Sequence, residues 1–112
     1  MTTSATISTA AILGGVITAN QGAAGVATYT MPTGSVLEAA LPADIATGDS
    51  VTFSIVNIST DAAEIITVQG ASGTTMKGNV TVAANSSTTT TSFAQFSAVR
   101  TGSNTFDVYR VG

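Results

Sequence analysis

The chain has 112 residues, enough for one domain, and only 8% of them are Asp, Glu, Lys or Arg, against roughly 25% in an average soluble domain. Its net charge is −3 and its only bases are Lys77, Arg100 and Arg110, so no patch can neutralise several phosphates and nucleic acid is excluded as a partner. With no His and no Cys, the commonest general base, the thiolate nucleophile and the usual transition-metal ligands are missing, which points away from an enzyme and from a cofactor.

In chain order, residues 1–9 are polar, Thr/Ser-rich and uncharged and read as an extended arm. The arm is expected to reach residue 13, with a single domain over 14–112. The apolar run 10–17 lacks the basic residues of a signal peptide and is too short to span a bilayer, so no membrane partner and synthesis in the cytoplasm are expected. A Gly-rich loop at 20–25 leads to a strand over 26–31, where Val26, Thr28 and Thr30 alternate with Ala27, Tyr29 and Met31. Ser35 and Glu38 fit a capping box, which predicts one short helix ended by Pro42.

Past a turn at 47–49, residues 51–58 form the clearest strand. Its apolar phase reads as flipping after Ile55, so that Val56 and Ile58 continue it, which implies a bulge or burial on both faces. Residues 64–69 are expected to return as its hairpin partner. Residues 70–73 form a loop, 77–79 a turn and 80–82 a short strand, and the Ser/Thr run 85–91 reads as an exposed loop. A final hairpin joins 93–99 to 105–111, with Phe106 and Val108 on one face and Tyr109 and Val111 on the other. Short strands at this spacing predict an all-β fold, an antiparallel β-sandwich or jelly-roll-like barrel with one short helix.

No chemistry emerges from the motifs. The acids Glu38, Asp44, Asp49, Asp61, Glu64 and Asp107 are scattered and mostly beside turns, where carboxylates are ordinarily solvated. No EF-hand loop is present; Asp61 and Glu64 flank one turn, which reads as solvated and not as a calcium site. Gly70, Gly73 and Gly78 lack the Lys-Ser/Thr and following helix of a phosphate loop. The sequons at Asn57, Asn79 and Asn85 are expected by chance in a Ser/Thr-rich chain. Thr28, Thr30, Thr67 and Thr81 suggest an ice-binding array, but no fixed period supports one.

The charge-free tracts 1–37 and 78–99 have two explanations. A Thr-rich sheet surface dissolves without charge, or much of the surface is covered by neighbouring chains, since the centres of protein interfaces are charge-depleted. The second is the working expectation. Aromatic residues are only 5% of the chain, so its core is thin and gains from association.

Residues 29–60 and 64–79 resemble small virion proteins of tailed bacteriophages, in particular the capsid cement or decoration proteins of cyanophages and other aquatic phages. The resembling elements are Met31-Pro32-Thr33 before a short helix, Gly48-Asp49 opening a strand, Asn57 ending it and the Thr67, Gly70, Gly73 passage. Gly14-Gly15-Val16-Ile17 and Val108-Tyr109-Arg110-Val111 are similar as well. Many such proteins carry a basic residue soon after the Gly-Gly pair, where this chain has Thr18-Ala19-Asn20.

The resemblance implies a β-rich homotrimer on the outer capsid surface of the virion, with the major capsid protein and further copies of itself as partners. The expected capsid contacts lie in the arm, at Thr2, Thr3, Ser4, Thr6, Ile7 and Thr9, and removing residues 1–9 is expected to leave the fold intact. The expected trimer contacts are Tyr29, Met31, Tyr109 and Val111. The alternative is a phage tail-fibre or receptor-binding domain that recognises a host surface glycan. The loops 20–25, 70–73 and 101–104 have none of the aromatic residues such a site needs.

Overall fold

A computed structural model describes residues 4–20, 26–59, 63–84 and 92–112. Among the described residues nine strands and two helices follow one another: β1 (Ala5–Thr6), α1 (Thr9–Gly14), β2 (Val16–Ala19), β3 (Ala27–Thr30), α2 (Gly34–Ala40), β4 (Ser50–Asn57), β5 (Ile66–Gln69), β6 (Thr74–Lys77), β7 (Thr81–Val82), β8 (Phe93–Gly102) and β9 (Thr105–Arg110). The fold is mostly β, as the alternation requires, but its sheets are mixed instead of antiparallel.

A four-stranded sheet has the order β1-β3-β5-β7 and a five-stranded sheet the order β2-β4-β8-β9-β6. Up to β7 the chain therefore changes sheet at every strand, and only β8 and β9 form a hairpin within one sheet. A chain that reverses at each hop brings strands two apart in sequence side by side and parallel. This is how β1 meets β3, β2 meets β4, and β3 meets β5. The expected hairpin between 51–58 and 64–69 is absent for the same reason: β5 belongs to the other sheet, and β4 pairs with β8.

Alternation puts one side chain in two of each strand between the sheets. Phe53 and Ile55 of β4, Ala94, Phe96 and Ala98 of β8, and Phe106 and Val108 of β9 point inward from the five-stranded sheet. Tyr29, Ile66, Val68 and Val82 meet them from the four-stranded sheet. Phe53 and Phe96 are cross-strand partners, with stacked rings and centroids 5.6 Å apart. Small alanines beside large rings let the inner faces interdigitate. Burial raises the Tyr29 phenol above its usual pKa.

The predicted phase flip in β4 does not occur. The strand keeps its period to the end, and its last inward position holds Asn57, fully buried, while Ile58 is exposed. Asn57 Nδ2 donates to the Glu64 carbonyl at 2.7 Å and to the Val82 carbonyl of β7 at 3.3 Å, and its Oδ1 accepts from the Ser59 N–H at 3.1 Å. A side-chain amide thus tethers one sheet to the other with its hydrogen bonds satisfied, which is the condition for burying it.

The described part of the expected arm is folded onto the domain. Ser4 Oγ accepts from the Thr28 N–H at 2.9 Å, β1 pairs with β3, and Ile7 is fully buried. Ser8 then caps α1 by accepting from the Ala11 N–H at 3.1 Å, and Gly15, at φ 88°, ends it in the left-handed conformation. α1 is a second helix that buries Ile12. Removing residues 1–9 would therefore open the core at Ile7.

α2 begins earlier than the capping box predicts. Thr33 is its N-cap, accepting weakly from the Val36 N–H at 3.4 Å, and Glu38 is turned elsewhere. Gly34 sits where three backbones meet: its N–H donates to the Ser72 carbonyl at 2.8 Å, and a Cβ there would collide with the Asn104 and Gly73 carbonyls. Only glycine fits this junction of α2, the β5–β6 loop and the β8–β9 turn.

Candidate interaction faces

Each sheet turns its second set of side chains outward. On the five-stranded sheet these are Val16 and Thr18 of β2, Ser50, Thr52, Ser54 and Val56 of β4, Phe93, Gln95, Ser97 and Val99 of β8, Asp107 and Tyr109 of β9, and Thr75 and Lys77 of β6. Its two charges, Asp107 and Lys77, lie on the β9–β6 side. Toward the β2 side the register sets Val16 level with Ser54 and Gln95, and Thr18 level with Val56 and Phe93. The Val111 N–H donates to the Gln95 carbonyl at 2.8 Å, which brings Val111 to the same band.

Large apolar side chains are exposed on this band, as they also are at Leu13, Val26, Val36 and Ile58. Of the four Phe in the chain three are in the core, while Phe93 is 36% exposed. Val16 is 64%, Val111 57% and Tyr109 41% exposed. Val16, Phe93 and Val111 lie in an uncharged patch, the composition of an interface centre, whereas Tyr109 stands beside Lys77 and donates to Asp107 Oδ2 at 3.4 Å.

The outer face of the four-stranded sheet is different. Thr28 of β3, Thr67 of β5 and Thr81 of β7 stand in one cross-strand row, and Thr6, Thr30 and Gln69 stand in the next. The fold brings together threonines whose sequence spacing is irregular, because sheet order does not follow chain order. The result is one three-threonine row and a second broken by Gln69. It is a short uncharged hydroxyl surface.

Charges sit at the ends of the sandwich. Arg100 Nε donates to Glu38 Oε1 at 2.6 Å, and the Asn104 N–H donates to the same oxygen at 3.0 Å. The hydrogen bond from Arg100, and then that from Asn104, hold the Glu38 carboxyl below the ordinary glutamate value of 4.5. The pair lines a cleft of about 360 Å³ with Ser35, Leu41, Pro42, Ile45 and Asn104. It docks α2 against the β8–β9 turn. At the opposite end Arg110 donates to the backbone carbonyls of Thr81 at 2.6 Å and Gly112 at 3.1 Å. Asp49 Oδ2 accepts from the Ala46 N–H at 2.9 Å, the ordinary work of a turn aspartate.

Of the residues expected at partner contacts, Thr2 and Thr3 lie outside the described residues, as do Asp61, Asn85 and most of the loop 20–25. Ser4 and Thr6 are exposed on the β1 edge, and Thr9 is half-buried in the first turn of α1. Ile7, Tyr29 and Met31 belong to the core and present no outer surface. Tyr109 and Val111 are exposed and lie on the same outer face. Val16, Val56 and Phe93 were not singled out by sequence reasoning. Phe93 starts a predicted strand, and its phase against Ala94 and Phe96 was the signal that it points outward. Asn57 is buried and cannot accept a glycan, and Glu64 is buried beside it.

Among the described residues no three His, Cys, Asp or Glu side chains come together, and no helix is long and apolar enough to cross a membrane. Comparison with protein-family models, curated proteins and solved structures finds no match.

Proposed function

We propose that this chain is a structural virion protein, a trimeric capsid cement protein that binds the outer surface of a tailed-phage head and stabilises contacts between capsomers. The observation that carries the reading is the pair of outer sheet faces, on which Asp107 and Lys77 are the only charges among the described residues. We read such faces as serving contact, since outside β9 and β6 their strands present uncharged side chains where a catalytic site needs convergent ionisable groups. The resemblance of residues 29–60 and 64–79 to decoration proteins suggests the setting: a virion surface, with the major capsid protein and further copies of the chain as partners.

The test is to add purified chain to phage heads that lack it. Saturable binding, with a higher temperature of head disruption, is the expected result. A chain that leaves heads undecorated but adsorbs to host cells or glycans belongs instead to a tail-fibre or receptor-binding apparatus.

A further inference from the structure

We infer that the cleft between α2 and the β8–β9 turn binds one extended, uncharged residue of a partner's peptide segment, held by the Glu38–Arg100 pair. The cleft has about 360 Å³, at the small end of the roughly 300–1,000 Å³ of ligand sites, and Leu41, Pro42 and Ile45 give it an aliphatic wall. Its lining residues belong to neither outer sheet face, so the site does not depend on the virion assignment. The two arginines of the chain differ in how fully they are used. Arg110 donates through Nε to the Gly112 carbonyl, through Nη1 to that of Thr81 and through Nη2 to that of Phe93. Arg100 donates through Nε alone, to Glu38 Oε1. Asn104 N–H donates to that same oxygen, so among the described residues Arg100 Nη1 and Nη2 have no acceptor and Glu38 Oε2 no donor. The two side chains are only 17% and 21% exposed. Among the described residues no enclosed side-chain nitrogen or oxygen lacks a partner, so these three atoms open to the surface.

The unused atoms select the ligand. A guanidinium can only donate and a carboxylate can only accept, so the occupant must carry an acceptor and a donor side by side. An extended residue presents its C=O and N–H to the same side, as at the paired positions of an antiparallel ladder. Its carbonyl would accept from Arg100 and its N–H donate to Glu38 Oε2, with an aliphatic side chain against Leu41, Pro42 and Ile45. Charge excludes the alternatives. Glu38 already neutralises Arg100, and Asp44 and Asp49 line the adjoining cleft of about 520 Å³, which shares Leu41, Pro42 and Ile45. A carboxylate ligand therefore meets acids, and a Lys or Arg side chain meets the Arg100 guanidinium. A sugar hydroxyl also donates and accepts, but the wall has no aromatic ring for a sugar to lie on.

The experiment is a titration of the full ¹⁵N-labelled chain with N-acetyl-leucine methylamide, followed by NMR at neutral pH, with N-acetyl-leucine and methyl glucoside in parallel. The peptide analogue is expected to shift the Glu38, Arg100 and Asn104 signals saturably, with a roughly millimolar Kd for a ligand of its size, and to leave Thr28 and Thr67 still. Arg100→Lys keeps the charge and loses the planar Nη pair, whereas Glu38→Gln keeps an oxygen for Arg100 and Asn104 and turns Oε2 into a donor. Each is expected to weaken binding roughly tenfold or more. Circular dichroism checks that both are folded, and Glu38→Gln carries the test if Arg100→Lys is not. The inference is overturned by no saturable shift up to about 50 mM analogue, by shifts spread over the whole chain, or by unchanged affinity in folded Glu38→Gln. Tighter binding of N-acetyl-leucine or of methyl glucoside overturns it as well.

Discussion

The described outer face of the four-stranded sheet carries no charge and that of the five-stranded sheet two, Asp107 and Lys77, and the two differ further in their apolar content. The four-stranded sheet shows water Thr6, Thr28, Thr30, Thr67, Gln69 and Thr81, whose hydroxyls and amide replace charge in keeping a surface solvated. The five-stranded sheet shows Val16, Val56, Phe93, Tyr109 and Val111, whose exposure is unfavourable by about 25 cal/mol per Å². Composition alone offers two explanations of missing charge, a hydroxyl-rich soluble sheet or a surface covered by neighbours. The fold separates a row of threonines on the four-stranded sheet from exposed Val16, Phe93 and Val111 on the five-stranded one.

The comparison depends on a frame that holds the sheets in place, and the largest effects come from breaking it. Gly34→Ala forces a side chain between the Asn104 and Gly73 carbonyls and is expected to destabilise the domain by roughly 4 kcal/mol, measured by urea unfolding. Ile7→Ala empties a fully buried site and is expected to lower stability by about 2–5 kcal/mol in the same assay. That loss would show the N-terminal segment to be part of the frame. A change below 0.5 kcal/mol would restore the picture of a detachable arm. Asn57→Ala removes the amide that ties β4 to Val82 and strands two carbonyls, with an expected loss of about 2–3 kcal/mol.

Smaller effects act on the faces and at the ends. Changing Thr28 and Thr67 together to Val gives the hydroxyl face the chemistry of the other one. Stability is expected to stay within about 0.5 kcal/mol, since both sites are half-buried on strands, while the salt concentration needed for precipitation falls. If solubility does not change, the two faces are not distinguished by their hydroxyls. Glu38 gives the smallest effect and a pH signature. Its carboxyl is held low in the folded state, so its contribution is full above the unfolded value of 4.5 and is lost as pH falls through the folded value. Glu38→Gln is expected to flatten the acid side of the melting-temperature profile relative to wild type while barely moving it at neutral pH.

Most strands were legible in the sequence because alternation is a local signal. The sheet each strand joins was not, since a turn that opens a hairpin and one that hops between sheets use the same Gly, Asn and Asp residues. Asn57 misled the phase because hydrophobic pattern scores a buried amide as outward, although its partners are backbone carbonyls far along the chain. β6 escaped notice for a similar reason: its inward Thr74 is buried by hydrogen bonds to the Pro32 and Ala71 carbonyls, not by apolar character. α1 was signalled by Ser8 ahead of it and Gly15 behind it, but its six residues are too few for a helical period to show. At the candidate interface Tyr109 and Val111 were readable from β9, whereas Val16 joins the band only through parallel pairing of β2 with β4.

The claim that the faces divide these roles is tested most directly by footprinting the wild-type chain with a carbene label at low and at high concentration. Val16, Phe93, Tyr109 and Val111 are expected to lose label as concentration rises, while Thr28, Thr67 and Thr81 keep theirs. Label that stays constant on the band, or is lost from the threonines instead, would contradict the account.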